Sequence, residues 1–357
     1  MPSGSRKGES RMDRGKRILI TGVSNYMGLR LAKRFENDDK VETVVGVDLR
    51  EPSVPIDKLE FVRADIRSPL IARIIDSSEI DTLIHTNITS HPSRLGGRSQ
   101  MKENNVIGTL QLLAAAQRAK KVERVIMKSS TAVYGLGPKE PSIVGEDHDN
   151  RQANLYGYGK DCAEAETYVR DFARRRKDVE VVILRTQSLI GPTVRTNMTD
   201  YLSLPVIPTA LGYDPRLQLV HEEDAIEAFA RATHDAPRGI YNITGQGVVF
   251  LSKAIRMLGK AGFPMLYPAA RGAGAILRRV GAVDFPPDQL QFLIYGRVVD
   301  YKRAREDFGF EARYSTEEAI ADFRDHRNGY LETSTRPAWA RDLSRLLQSG
   351  AGTKEYA

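Results

Sequence analysis

The sequence has almost no cysteine and no long apolar run. Cys162 is the only cysteine among 357 residues, so no disulfide can form within the chain, and a reducing, cytoplasmic location is expected. No stretch approaches the roughly 18 consecutive apolar residues of a membrane span. Residues 1–17 lack the apolar core of a secretory signal. We therefore expect neither a disulfide-stabilised secreted protein nor a membrane-spanning one.

Metal-ligand spacings and a strong charge bias are missing as well. The six histidines show no spacing such as His-Glu-x-x-His, so no metal site is expected. The net charge is +7, but residues 1–17 hold six basic and two acidic residues and carry more than half of it. Residues 1–16 are therefore predicted to form a disordered basic tail. The rest of the chain is nearly balanced and gives no sign of a nucleic-acid partner.

Short apolar runs alternate with helical patterns along residues 17–190. Continuous apolar strands that alternate with helices are typical of a parallel sheet covered on both faces. The sequence therefore predicts an α/β fold, a Rossmann-type doubly wound parallel sheet with a smaller C-terminal substrate-binding part. The predicted strands are 17–21, 43–48, 59–63, 81–85, 123–129 and 179–185, and the longest predicted helices are 101–119 and 155–176.

The alternation of apolar strands with helices becomes irregular after Pro192. Four prolines between 192 and 216 indicate a loop-rich segment suited to lining a substrate pocket. A helix at 224–234 and a strand at 240–244 then return to the earlier pattern. The predicted domains are an NAD-binding Rossmann domain at 17–190 with 217–245 returning to it, a substrate-binding part at 191–216 and 246–330, mostly helical over its second stretch, and a C-terminal tail at 331–357.

The turn after the first strand has the spacing of a dinucleotide-binding loop. Gly22 suits the tight turn and Gly28 the close packing of helix on strand, while Asn25 stands where a middle glycine is expected. Asparagine tolerates left-handed backbone angles better than most residues, so the turn is expected to survive. Asp48 ends the next strand, where an acid binds the ribose hydroxyls of NAD. The predicted NAD-binding residues of the turn are Gly22, Asn25, Tyr26, Met27 and Gly28.

A tyrosine and a lysine lie four residues apart at the start of a predicted helix. Tyr156 and Lys160 are at positions i and i+4, so both lie on one helix face, and Tyr158 is expected on another. A nearby ammonium favours the phenolate and lowers the pKa of a tyrosine, which makes it usable as a general acid or base. Ser130 ends the fifth strand, where this architecture places ligands, and its hydroxyl can bond the reacting oxygen.

Taken together, these motifs resemble the extended short-chain dehydrogenase/reductases, the NAD-dependent epimerase/dehydratase family, over roughly residues 17–325. The resemblance implies that Ser130 holds the substrate oxygen and that Tyr156 exchanges its proton. It implies that Lys160 lowers the pKa of the tyrosine and binds the nicotinamide ribose. Further implied roles are Asp65 and Ile66 beside the adenine, and Asn105 supporting the sheet and a water near the site.

Three departures from the family pattern bear on the site. Asn25 replaces a glycine in the turn. Ser188 stands where sugar-nucleotide epimerases usually carry an asparagine that contacts the substrate. The arginine that such enzymes often place in a later strand is Leu217 here, and Arg216 is one residue away, on the opposite side of a strand. Ser188 and Arg216 therefore join Ser130 as candidate substrate-binding residues, in a pocket with fewer phosphate donors than a diphosphate sugar usually meets.

We expect an NAD-dependent enzyme that transiently oxidises a hydroxyl of a small-molecule substrate, with UDP-glucose 4-epimerase-like activity as the leading version. One alternative is a net NAD(P)-dependent dehydrogenase of a less polar alcohol, resembling the hydroxysteroid dehydrogenases, which the apolar residues 269–281 favour. Another is a non-catalytic dinucleotide-binding regulatory protein, which Asn25 favours. Family members often dimerise through two helices, here 101–119 and 155–176, so a homodimer is expected.

Overall fold

A seven-stranded parallel sheet lies at the centre of the protein. The computed structural model describes residues 15–90, 97–138, 140–148, 155, 157–266 and 287–331. The seven strands of the large sheet follow the predicted apolar runs closely, and six short strands were not predicted. The strands are β1 (Lys16–Thr21), β2 (Val41–Asp48), β3 (Leu59–Arg63), β4 (Thr82–His85), β5 (Arg124–Ser130), β6 (Glu180–Thr186), β7 (Ser188–Ile190), β8 (Val206–Ala210), β9 (Arg216–Leu217), β10 (Leu219–His221), β11 (Gly239–Ile243), β12 (Val249–Phe250) and β13 (Ala261–Met265).

The order of the strands in the large sheet confirms the predicted doubly wound fold. The order is β11-β6-β5-β4-β1-β2-β3, and every neighbouring pair runs parallel. The order reverses between β1 and β4, which is where sheets of this kind bind ligands. Because the carboxyl ends of parallel strands meet at one edge, the strand ends Thr21, Asp48, His85 and Ser130 lie along that same edge.

Helices cover both faces of this sheet. Ile18 and Ile20 of β1 pack into a core with the first and seventh helices, and Leu19 packs into a second core with the fourth and fifth. This two-sided burial explains why the strands read as continuous apolar runs. The helices are α1 (Tyr26–Glu36), α2 (Leu70–Ser77), α3 (Gly97–Lys102), α4 (Gly108–Arg118), α5 (Gly157–Arg175), α6 (Asn197–Leu202), α7 (Glu222–His234), α8 (Leu251–Met257), α9 (Pro287–Tyr295), α10 (Lys302–Glu306) and α11 (Thr316–Leu331).

The helix predicted over 101–119 is not continuous. A π-helical segment, Glu103–Ile107, separates α3 from α4. Such segments widen a helix locally and often occur at functional sites. Asn105 lies in the middle of this segment and is fully buried, which places its side chain against the loop that follows β4.

The part of the chain predicted to bind the substrate contains more regular structure than the sequence indicates. Residues 191–216, expected to be loop-rich, include α6 and β8, and residues 246–330 include β12 and β13 beside their helices. Two small two-stranded sheets form there, β12-β9 and β13-β8, and a third, β10-β7, joins strands that flank residues 191–216. Strands of two to five residues are too short to show a hydrophobic period, so sequence patterns do not reveal them.

Some sequence predictions fall outside the described residues, namely most of the basic tail at 1–16, the apolar stretch at 269–281 and nearly all of the C-terminal tail. Within the part of the chain that the structure describes, no helix is both long enough and apolar enough to cross a membrane.

Candidate active site

The turn after β1 is shaped by two glycines. Gly22 has a φ of +73°, which favours glycine, and its N–H donates to the Val47 carbonyl at 2.8 Å. Gly28 lies so close to the turn that a Cβ atom there would stand 2.3 Å from the Gly22 carbonyl oxygen. The turn therefore fits a dinucleotide, because the backbone is open to close approach and α1 begins directly at the sheet edge.

Asn25 enters α1 without the left-handed backbone that the sequence led us to expect. Its φ and ψ are −78° and 157°, an extended conformation that any residue adopts. Its side chain does not cap α1 and instead donates to Asn87 Oδ1 at 3.3 Å. Asn87 in turn donates to Asn104 Oδ1 at 3.1 Å. The Asn25 amide is thus turned aside from the first N–H groups of α1, so it does not compete with an anionic ligand for them.

Tyr26 and Met27 point their side chains into the protein. The Tyr26 hydroxyl lies 2.7 Å from the Thr193 hydroxyl. Met27 is 4% exposed and belongs to the apolar core. Both side chains anchor the first turn of α1, so contact with a cofactor at these two positions would come from the backbone.

Acidic residues follow β2 and β3 at the same sheet edge. Asp48 accepts the backbone N–H of Ser24 at 3.1 Å, which holds its carboxylate beside the turn. Asp65 accepts two hydrogen bonds from the Arg67 guanidinium at 2.6 and 3.0 Å, and these hold the pKa of Asp65 below its usual value. The neighbouring Ile66 is buried. Among the described residues, no three His, Cys, Asp or Glu side chains come together in a way that could hold a metal ion.

A buried chain of hydrogen bonds joins β1 to α4. Thr21 Oγ1 lies 2.7 Å from His85 Nδ1, and His85 Nε2 lies 2.8 Å from Thr109 Oγ1. Thr109 donates to the Asn105 carbonyl at 2.5 Å. Burial lowers the pKa of His85 to about 3, and the nearby Lys128 ammonium contributes, so the imidazole is neutral at pH 7. These contacts fix Asn105 and the strand ends relative to each other.

Arg98 clamps the start of α5. Its guanidinium donates to both carboxylate oxygens of Asp161 at 2.6 Å and to the Gly157 carbonyl at 2.8 Å. Asp161 is fully buried and also accepts from Asn105 Nδ2 at 3.2 Å. The first turn of α5 is therefore held against α3 and the π-helical segment. No local sequence pattern marks Arg98, because its partner Asp161 lies 63 residues further along the chain.

Ser130 ends β5 directly beside the start of α5. Its Oγ accepts the Ala132 N–H at 3.2 Å. Burial raises the pKa of the neighbouring Tyr158 hydroxyl, and the Ser130 side chain opposes this rise. Gly159 packs against the same short turn, where a Cβ atom would stand 2.6 Å from the Ala132 carbonyl oxygen. The structure therefore brings Ser130 together with Tyr158. Tyr156 lies outside the described residues, and Lys160 is exposed.

A buried ion pair fixes α5 to the sheet behind Ser130. Arg185 of β6 donates to both carboxylate oxygens of Glu166 at 2.9 and 2.7 Å, and Ser129 donates to Glu166 at 2.6 Å. Burial opposes ionisation of Glu166, but the hydrogen bonds and charge of Arg185 outweigh it, so the pKa of Glu166 lies below its usual value. These bonds therefore join β5, β6 and α5 to one another.

The model of the NAD dependent epimerase/dehydratase family matches residues 18–244, which include the turn after β1, Ser130 and α5. The chain belongs to this family. Its membership confirms the resemblance drawn from the motifs, and with it the expectation of an enzyme that uses NAD. The matched residues cover more than half of the chain and end just after β11, the strand that completes the large sheet.

Relatives of this epimerase/dehydratase cover most of the chain. An uncharacterized Mycobacterium tuberculosis protein is 38% identical over 312 residues, 86% of this chain and 83% of the relative. UDP-glucose 4-epimerase 3 of Oryza sativa subsp. japonica is 26% identical over 204 residues, 52% of each protein. MoeE5 in complex with UDP-glucuronic acid and NAD superposes with a TM-score of 0.69 at 21% identity, covering 88% of this chain and 100% of that one.

A further solved structure has the same fold. UDP-glucuronic acid 4-epimerase from Bacillus cereus, in complex with NAD, superposes with a TM-score of 0.67 at 18% identity. It covers 88% of this chain and 99% of its own. At such low identity the two solved structures show the fold that this epimerase/dehydratase adopts.

The candidate substrate-binding residues Ser188 and Arg216 lie in short strands outside the large sheet. Ser188 in β7 is half-buried. Leu217 is fully buried in the apolar core of the C-terminal part, and Arg216, on the other side of the strand, donates to the Ser142 carbonyl at 3.0 Å. Gln187, which the sequence analysis did not single out, accepts from the Thr131 hydroxyl at 2.9 Å just beyond Ser130.

Proposed function

We propose that this protein oxidises one hydroxyl of a nucleotide-sugar substrate and then reduces the resulting carbonyl, so that bound NAD is recycled, as in a UDP-hexose 4-epimerase. The observation that carries the proposal is the meeting of Ser130 with the start of α5 at the same sheet edge as the turn after β1. Cofactor and reacting groups come together at that edge in this architecture.

The turn residues fit NAD. Gly22 and Gly28 would admit the pyrophosphate to the N-terminus of α1, because Asn25 is turned aside. Asp48 would accept the ribose hydroxyls and oppose the extra phosphate of NADP. When bound, NAD accepts a hydride from the substrate carbon and later returns it. The other proposed contacts are the backbone of Tyr26 and Met27, then Asp65, Ile66 and Asn105.

The residues of the chain would hold the reacting oxygen and move its proton. The Ser130 hydroxyl would donate to that oxygen and keep it beside α5. A tyrosine from the first turn of α5 would take the hydroxyl proton during oxidation and return it during reduction. The sequence assigns this role to Tyr156 with Lys160 as the supporting cation, and that assignment stays a prediction.

A nucleotide sugar is supported by the UDP-sugars named for the rice relative and for MoeE5. The pocket would nevertheless hold it differently from the usual pattern. Leu217 offers no charge, so Arg216, one residue away, would be the nearest cation of that strand for a diphosphate. Ser188 would offer a short hydroxyl in place of an amide, which leaves room at the sugar.

The first test is to identify any dinucleotide that the purified protein retains. Denaturation followed by mass analysis should release NAD. The native protein should then interconvert a UDP-hexose with its epimer without net production of NADH. A protein that binds neither dinucleotide nor any sugar nucleotide would contradict the proposal.

A net dehydrogenase of a less polar alcohol is the second candidate. It is favoured by large apolar side chains that are more than half exposed on the C-terminal part, among them Leu211, Phe250 and Phe263. Such side chains suit a ligand with apolar surface. Net NADH production from a lipid-like alcohol would favour this candidate, and strict dependence on sugar nucleotides would exclude it.

We also propose that the protein is a homodimer and that it is located in the cytoplasm. Ile107 and Leu110 are 41% and 38% exposed on the helix that family members often use for dimerisation. Two copies packed through α4 and α5 would cover these side chains. Light scattering should give twice the mass of the chain, and a monomeric mass would contradict this arrangement.

A further inference from the structure

A buried carboxylate that the proposed chemistry does not use lies at the start of α7. Glu222 is the first residue of that helix and is 1% exposed. Its carboxylate accepts the backbone N–H groups of Thr193 and Val194, at 3.1 and 2.6 Å, and the Thr193 hydroxyl at 2.6 Å. A buried carboxylate is costly for folding unless it is bonded, and these three bonds fasten the loop after β7 to α7.

The loop after β7 is shaped to receive this carboxylate. At Gly191 a Cβ atom would stand 2.4 Å from a carboxylate oxygen of Glu222, so any side chain there would displace the bonded carboxylate. Arg327 of α11 donates to the Val194 carbonyl at 2.7 Å. Residues 191–194 are therefore held by two helices that come later in the chain.

Thr193 extends these contacts to α1. The Tyr26 hydroxyl lies 2.7 Å from Thr193 Oγ1. Because the Thr193 hydroxyl gives its one proton to Glu222, the Tyr26 hydroxyl is the donor of this bond. Burial and the charge of Glu222 raise the pKa of Tyr26, so the phenol keeps the proton that it donates. A chain of hydrogen bonds thus runs from Tyr26 through Thr193 to Glu222, and we call it the Thr193 bridge.

The Thr193 bridge ends in the turn that would hold the cofactor. Tyr26 is the first residue of α1 and lies between Gly22 and Gly28. The N–H groups at this end of a helix are those that face a pyrophosphate in dinucleotide-binding folds. A group that is already held in its bound orientation loses less entropy on binding. The Tyr26 hydroxyl stays on Thr193 only while the start of α1 stays in place, so the bridge fixes this turn.

We propose that the Thr193 bridge positions the first turn of α1 for NAD. The side chains of Tyr26, Thr193 and Glu222 are then positioning residues, which act through the backbone of the turn. The proposal rests on the cofactor placement in the proposed function and not on the substrate. When the bridge is broken, only a fraction of the molecules hold the turn in its binding orientation, and the affinity for NAD falls by that fraction. By linkage, bound NAD stabilises the bridge and slows the opening of residues 191–194.

The affinity for NAD measures the first consequence, by calorimetry on cofactor-free protein. Tyr26→Phe and Thr193→Val each remove one hydroxyl at nearly constant volume. Both should raise Kd by about fivefold or more, the equivalent of one net hydrogen bond. Thr193→Ser keeps the hydroxyl and should behave as the wild type. Tyr241→Phe is the matched control, because the buried Tyr241 hydroxyl of β11 donates to the Pro237 carbonyl at 3.0 Å.

Melting temperature separates positioning from stability. Tyr26→Phe and Tyr241→Phe should lower it to a similar extent, while only Tyr26→Phe weakens the binding of NAD. Unchanged affinity in Tyr26→Phe and Thr193→Val would mean that the bridge is only structural and would overturn the proposal. Gly28→Ala tests the cofactor placement separately. If Gly28→Ala abolishes binding and the bridge variants do not weaken it, only the bridge proposal is wrong; if none of them matters, the cofactor placement is wrong as well.

Hydrogen exchange measures the second consequence. The amides of Thr193 and Val194 exchange only when their bonds to α7 open. NAD should slow this exchange in the wild type by about fivefold or more, the same factor as the change in affinity. In Tyr26→Phe saturated with NAD, both amides should exchange as fast as without NAD. The Asn242 amide, which a different carboxylate accepts at 2.8 Å, is the internal reference. Equal slowing by NAD at Thr193 and Asn242 would indicate general stabilisation and would contradict the proposal.

Discussion

The dinucleotide half of this protein, which contains the large sheet, and its C-terminal part are built by different means. In the first, seven parallel strands are buried on both faces, and charged groups inside, such as Arg185 and Glu166, are paired. In the C-terminal part, the two-stranded sheets β12-β9 and β13-β8 carry short strands, and the residues from Ala261 to Pro264 in β13 are all exposed. The strands of the large sheet are therefore enclosed on both faces, whereas β13 of the C-terminal part presents its side chains to solvent.

This difference predicts where substitutions are costly. Interior polar groups of the sheet are held in networks with several partners, so removal of one member leaves the others buried and unsatisfied. Exposed apolar residues of the second half lose little on truncation, because they are already in contact with water. Stability should therefore depend mainly on the dinucleotide half, and substrate choice on the other.

The largest expected effect is at the buried ion pair. Arg185→Met should lower the free energy of unfolding by about 3–5 kcal/mol, because it leaves Glu166 charged and unpaired in the interior. Urea denaturation measures the loss. Arg174→Met is the matched control, since Arg174 is 75% exposed beside Asp171 and should change stability by less than about 0.5 kcal/mol. Equal losses in both variants would show that the buried ion pair contributes no more to stability than the exposed one.

The second effect is a loss of stability in acid. His85 has a pKa of about 3 in the folded protein, against about 6.5 when unfolded. Below pH 6.5 the unfolded chain therefore binds more protons, and stability falls as the pH drops towards 3. At pH 5 this amounts to about 2 kcal/mol relative to pH 8, since one pKa unit is worth about 1.4 kcal/mol.

The measurement is urea denaturation at both pH values for the wild type and His85→Gln. The variant lacks the titrating imidazole, so it should lose about 2 kcal/mol less than the wild type. Other groups titrate equally in both proteins and cancel in the comparison. A similar loss in both would mean that His85 binds a proton in the folded state.

The sequence predicts the dinucleotide half well for a physical reason. Strands buried on both faces must be apolar throughout, so each of them stands out as a run bounded by turns. Gly22 and Gly28 were identified because no other residue suits their backbone and packing. In the C-terminal part, β8 and β13 pair although they lie about 55 residues apart in the chain, so no local sequence pattern predicts these strands.

The candidate catalytic residues show a different limit. Tyr-x-x-x-Lys begins at Tyr156, and spacing alone cannot show which side chains at the start of α5 approach Ser130. The structure shows that Gly159 packs against Ala132, a contact between separate elements that no local sequence pattern reveals.

A smaller effect is expected at the unusual residue of the turn. Asn25→Gly should change the affinity for NAD by less than about fivefold, roughly 1 kcal/mol, because the Asn25 side chain is bonded to Asn87 and not to α1. Calorimetry on cofactor-free protein gives the affinity. Gly28→Ala is the contrasting variant, since its Cβ would clash with the Gly22 carbonyl and should abolish binding. A large gain from Asn25→Gly would show that the amide obstructs the pyrophosphate.

The smallest effect on stability is expected at Phe263 in β13. The same substitution should show which class of substrate contacts this strand. Phe263→Ser removes a side chain that is 58% exposed, so the free energy of unfolding should change by less than about 0.5 kcal/mol. Phe229→Ala, in the buried core, should cost about 3–5 kcal/mol. If β13 meets an apolar alcohol, Phe263→Ser raises KM for that alcohol and leaves NAD binding intact. An unchanged KM for a UDP-hexose in the same variant would instead show that β13 does not bind the sugar nucleotide. The two KM values together would therefore distinguish the epimerase from the dehydrogenase of an apolar alcohol.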